Sequence, residues 1–256
     1  MEELREKLLV IQERINELRE SRSLLENSTM TESQFSSGDT AWLLISTVLV
    51  LGMTLPGIML YYAGMVRLQN ALSTAMQGFG LAALITVLWQ CFGYSLAFAP
   101  ANGDDINAII FGDASRFWLH GLYTSGSAHV LAPTIPESVF CSFQLAFAII
   151  TPCLICGAFA DRMKYNAVLL SLGLWHLVVY CPIAHSNWHP NGFLNKAGVL
   201  DFAGGNVVHV AAGVSALVSA LIVGNRTGFG KTVFQAHNLL LALVGKLPSF
   251  SSLLRL

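Results

Sequence analysis

The chain has 256 residues, of which Asp, Glu, Lys and Arg together make up only 11%, against about 25% in soluble domains. A mean hydropathy of +0.59 assigns it to lipid rather than to water. With a net charge of −1 and no block of basic residues, nothing in the chain suits a nucleic-acid partner.

In chain order, residues 1–28 come first. Leu4, Leu8, Ile11, Ile15, Leu18 and Leu25 recur at alternating steps of four and three, with Arg22 interrupting the row. That spacing predicts the a/d seam of a coiled-coil helix; a single amphipathic helix lying on another surface is the alternative. Three heptads are marginal alone, so a coil here would reinforce an assembly formed elsewhere. The segment lacks the uninterrupted apolar core of a signal peptide. Residues 29–40 read as a polar linker.

A membrane-crossing helix needs about 20 predominantly apolar residues. Uncharged stretches of that length run from Ala41 to Val66, Ala71 to Pro100, Ser138 to Ala160, Asn166 to His185 and Phe202 to Asn225. The fold class predicted is therefore an all-α polytopic membrane protein, with five spans over 41–226. Pro56 and Pro152 inside two spans are tolerable where neighbouring helices re-satisfy the backbone. Residues 101–137 read as an external hairpin or cap. A sixth apolar piece, Leu239 to Gly245, is read as stopping at Lys246 and Pro248, so 227–256 is assigned to the cytoplasm as an incomplete sixth span and a divergent tail.

Basic residues near the span ends set the orientation. Arg67, then Arg162 and Lys164, then Arg226 and Lys231 follow spans one, three and five; only Arg116 and Lys196 follow spans two and four. The N-terminus is expected outside and the C-terminus in the cytoplasm.

The cysteines at 91, 141, 153, 156 and 181 fall mostly in apolar runs, and Cys153 and Cys156 lack a second ligand pair. The scattered histidines form no HExxH helix, and no nucleophile–base motif occurs. His185 and His189 are four apart, but the intervening SNW and the following Pro190 suit a loop. Neither an enzyme nor a metal or cofactor is expected.

The fifth span opens with DFAGGNVVHVAAG (201–213). Asp201 can accept hydrogen bonds from the first free N–H groups of the helix, and its charge suits the positive helix end. Gly204 and Gly205 permit close helix approach. His209 lies eight residues further, about 12 Å deeper, with the small residues Ala212, Ala216 and Ala220 assigned to its face. A buried ionisable group in a membrane is by default a functional candidate, against the alternative of a histidine satisfied within the helix bundle.

DFAGGNVVH resembles the signature of the ammonium transporter (Amt/Mep/Rh) family. GMVRLQN (64–70), LWQCFGYSLAF (88–98), FQLAFAIITPCLICGAFADRMKY (143–165), PIAHSNWHPNGFL (182–194) and AHNL (236–239) agree with it in order, over residues 38–245. The likeness is strongest to the Amt branch. What the resemblance implies is a chain contributing the first of two inverted five-helix repeats in an eleven-span fold. Phe143 and Trp188 match the aromatics of an external recruitment site, where a cation over ring faces gains about 0.5–2 kcal/mol. Phe147 matches the outer phenylalanine of a gate. Asp201 matches an aspartate near the ion site, and His209 the first of two pore histidines.

The resemblance implies transport of ammonium as ammonia along a histidine-lined pore. It also implies a homotrimer in the plasma membrane. Since the match supplies the first repeat only, and KLPSFSSLLRL at the end resembles nothing in the family, the chain is expected to be a truncated form. The alternative is a non-conducting partner of full-length subunits.

Overall fold

The computed structural model describes Gln12, Arg14, Asn16, Leu18 and residues 35–100, 109–124 and 127–253. The expected coiled coil over 1–28 lies outside the described residues apart from those first four, which are helical and exposed. Among the described residues, five helices are long and apolar enough to cross a membrane: Ser37–Met65 (α1), Leu68–Phe98 (α2), Glu137–Phe159 (α3), Tyr165–Lys196 (α4) and Gly205–Val223 (α5). Each overlaps one of the five apolar runs, and no strand occurs among the described residues. α1 begins four residues inside the assigned linker, because Ser36 caps it: its hydroxyl accepts from Asp39 N–H at 3.1 Å.

A sixth helix, Leu239–Leu253 (α6), corrects the expectation that the last apolar piece ends at Lys246 and Pro248. The reason is tertiary. A Cβ on Gly64 of α1 would come 2.6 Å from Ala242 N, and one on Gly245 of α6 would come 2.6 Å from Gly57 O. Backbone thus lies on backbone, the close approach that small residues allow between membrane helices. Lys246 lies 5.6 Å over the Tyr61 ring, so its charge has a partner inside the helix rather than ending it.

Threonine hydroxyls of the spans are satisfied within their own helices, as hydrocarbon surroundings favour. Thr47, Thr54, Thr86 and Thr151 each bond the carbonyl four residues back, at 2.7–2.8 Å. Widened π turns interrupt α1 at Met53–Ile58, around Pro56, α2 at Trp89–Gly93 and α4 at His176–Tyr180. A widened turn accommodates the proline's missing donor. The latter two turns meet in the core, where a Cβ on Gly93 would come 2.8 Å from His176 Nε2. Trp89, Tyr94, Phe98, Phe159 and Tyr180 are the largest side chains buried there.

At one end, the α1–α2 and α3–α4 connections and the segment after α5 are clipped together. The Asp161 carboxylate, 1% exposed, lies 3.7 Å from Arg67 Nε and 4.0 Å from Arg226 Nη1. Both guanidiniums sit over the Phe234 ring. The opposite end, where α2 stops and α3 starts, carries the candidate site.

Candidate functional site

α4 is longer than the sequence suggested. Its helix runs on through Cys181–Trp188 and is interrupted from His189, whose backbone is extended (φ −71, ψ 138), as a residue before proline tends to be. It resumes for one turn at Phe193–Lys196. The SNW segment given to a loop is helical, and Asn187 donates there to Ile183 O at 3.0 Å. The result aligns His185 with His189, rings 4.5 Å apart and 13° from parallel, and carries Trp188 to the helix end.

Asp201 caps α5. Its two carboxylate oxygens accept from Asn206 N–H at 3.0 Å and Val207 N–H at 3.2 Å, the capping expected of it. The geometry needs Gly204, whose left-handed backbone (φ 74) reverses the chain between cap and helix. This differs from the helix–helix contact assigned to the two glycines. A Cβ on Gly204 would lie 3.9 Å from the Trp188 ring, and one on Gly205 would meet only Asp201 Oδ1, at 3.4 Å.

α5 opens with a π turn, Gly205–Val210. Its extra residue per turn rotates His209 away from the face of the small residues. His209 is exposed, whereas Ala212 is 3% exposed and Ala216 packs against the core. The assignment of His209 and Ala212 to one face is thereby corrected. His209 Nδ1 lies 3.2 Å from Gly204 O. A carbonyl only accepts, so Nδ1 carries the proton, and in the neutral ring Nε2 is then the acceptor.

Phe143 and Phe147 are half-buried and meet edge to face, centroids 4.9 Å apart at 87°. Trp188, also half-buried, stacks on Phe98 at 6.0 Å and 12°. The start of α5 contacts both α3 and the end of α4. The structure thus brings the α3 aromatics, Trp188, Asp201 and His209 to one end of the bundle, with each aromatic pair built within its own stack.

Several residues of this end were not singled out in the sequence. Glu137, 2% exposed, accepts from Tyr94 OH at 2.8 Å, from Arg116 Nη2 at 3.0 Å and from the Ser127 hydroxyl. His129 bonds Phe98 O through Nε2 at 3.0 Å, and burial pushes its pKa below the ordinary 6.5, against the opposing pull of the Phe98 carbonyl and Glu137. No pattern in the sequence marks either residue. For His185 and His189 the sequence does carry a signal, their i, i+4 spacing, but Pro190 and the polar SNW between them point to a loop.

Fold and site together define a polytopic α-helical membrane protein with a cluster of polar and aromatic side chains at the end where α2 stops and α3 starts. The chain matches the family described as the Ammonium Transporter Family over residues 41–247, and it belongs to that family. It is 44% identical over 229 residues to an ammonium transporter of Mycobacterium tuberculosis strain H37Rv, with 81% of this chain and 47% of that protein covered. It is also 44% identical over 211 residues to ammonium transporter 1 of Dictyostelium discoideum, with 81% and 44% covered. Among solved structures it resembles Candida albicans Mep2, with a TM-score of 0.75, 32% identity, and 87% of this chain and 48% of that chain covered. The chain spans about half the length of the curated relatives it matches. Those relatives are named transporters, in line with the expectation of a protein that is not an enzyme.

Proposed function

We propose that the chain serves the transmembrane movement of ammonium, taken up at the Trp188 end and passed on as ammonia beside His209. The observation that carries this is the acceptor Nε2 of the neutral His209 ring, fixed by the bond from Nδ1 to Gly204 O. An imidazole so held can accept a proton or hydrogen bond from the passing species. Phe143 and Trp188 offer aromatic faces to a cation, and Phe147 lies one helical turn below Phe143 as a barrier to water. Asp201 supports the site through the helix start it caps. Homotrimeric assembly in the plasma membrane accompanies this reading.

A second reading, in which the chain is a non-conducting partner of longer subunits, is favoured by α5. It is the least buried of the five spans, and Val210, Val214, Leu217, Leu221 and Ile222 are exposed along it. Uptake of labelled methylammonium by this chain, in cells lacking ammonium transporters of their own and with membrane insertion verified, separates the two. Uptake above background supports conduction; none at all favours the partner.

Orientation follows from the basic residues of the Arg67 end. All five cysteines are buried, which leaves a low background for thiol labelling. In intact cells a membrane-impermeant maleimide is expected to label Tyr123→Cys, at a position 78% exposed in the α2–α3 loop, and to spare Thr227→Cys beyond α5. The reverse pattern would invert the topology.

A further inference from the structure

The Trp188 end holds imidazoles that the proposed path does not use. Helix α2 stops there, and the last carbonyls of a helix have no donors of their own. His185 Nδ1 lies 3.0 Å from Ala97 O, and His129 Nε2 lies 3.0 Å from Phe98 O. Both nitrogens must donate, so two histidines cap the end of α2. His129 Nδ1 in turn accepts from Leu131 N–H at 3.2 Å. With one ring nitrogen donating and the other accepting, only the neutral ring satisfies both bonds. The same ring lies flat on Phe140, at 4.5 Å and 8°, and edge-on to Phe98, at 5.7 Å and 90°. Phe98 is the ring on which Trp188 stacks.

We propose that His129 is a positioning residue for Trp188: acting through Phe98, its neutral ring fixes the indole that meets the cation, and acid outside the membrane loosens that site. This rests on the reading of Trp188 as a recruitment residue. A proton on Nδ1 would face the Leu131 N–H, so the ring must leave its seat, releasing the Phe98 carbonyl and the Phe140 stack together. The groups around it are Glu137 at the start of α3, Arg116 in the same loop, and His185 and His189 at the end of α4. Burial is the main cause of the lowered pKa, Glu137 opposes it and Arg116 adds to it. Because the folded value lies below 6.5, the arrangement is complete above about pH 6.5 and is lost as pH falls through the lowered value.

The test is fluorine NMR of the full chain labelled with 5-fluorotryptophan in lipid nanodiscs, the Trp188 signal being assigned by its loss in Trp188→Phe. The Trp188 signal is expected to shift on acidification with a midpoint below pH 6.5. His129→Gln, which can still donate to Phe98 O but cannot titrate in this range, is expected to remove that pH response. His129→Ala is expected to move the signal at pH 7.5 as well. In methylammonium uptake, His129→Ala is expected to raise KM about 3- to 10-fold with Vmax unchanged, the signature of a weakened cation–π contact. A Trp188 signal unchanged in His129→Ala, or a pH response that persists in His129→Gln, overturns the proposal. Absence of uptake by the unsubstituted chain would instead count against the transport reading, while the fluorine result still decides whether His129 governs Trp188.

Discussion

His209→Ala is expected to reduce methylammonium uptake by about 10²–10⁴-fold, the usual worth of a positioned acid–base group, while the amount of inserted protein stays unchanged. The two halves of that result come from one observation. His209 is exposed on α5 and its ring bonds the carbonyl of Gly204 in its own chain turn. Removing an exposed side chain of this kind costs at most about 0.5 kcal/mol of stability, because no core contact is lost and no buried partner is stranded. Loss of uptake with normal insertion therefore reports on the path and not on folding. Uptake within about twofold of the parent chain would remove His209 from any relay role and leave it as a polar group on the helix face.

Glu137→Ala is expected to have the largest effect on stability, about 3–5 kcal/mol, as for a buried ion pair that loses one partner. The carboxylate joins Tyr94 on α2, Arg116 and Ser127 in the α2–α3 loop, and the first turn of α3. Its backbone N–H also donates to Ser127 O at 2.9 Å. Alanine would leave the Tyr94 hydroxyl and the Arg116 guanidinium, 25% exposed, without their shared acceptor. Glu137→Gln, which keeps an acceptor but not the charge, is expected to lose less. The denaturant midpoint of the purified chain in detergent measures both. Equal midpoints for all three proteins would mean that the network orders the loop without stabilising the bundle.

The spans and the site were legible in the sequence to different depths. All five apolar runs became membrane-length helices, and Asp201 caps α5 as its position suggested. The bounds were less legible. α4 runs past His185 because Ser186 and Asn187 are buried and Asn187 is bonded to its own helix, and polarity alone could not show that. α6 continues through Lys246 and Pro248 because α1 supplies glycines for its backbone to lie on. His209 left the face assigned to it because the π turn at Gly205–Val210 changed the helical phase, and a fixed period of 3.6 residues has no place for such a turn.

By itself, then, the amino-acid sequence determined the membrane class, the number of spans and the family to which the chain belongs. Transfer of a helix into lipid is close to a sum over its own residues, so those properties are local. Tertiary structure alone decided which side chains share the Trp188 end. Glu137 meets Tyr94 across 43 residues of chain, and His129 meets Phe98 across 31. In hydrocarbon a polar group needs a partner, and where its own helix does not supply one, that partner is chosen by the packing of helices and not by the neighbours in the chain.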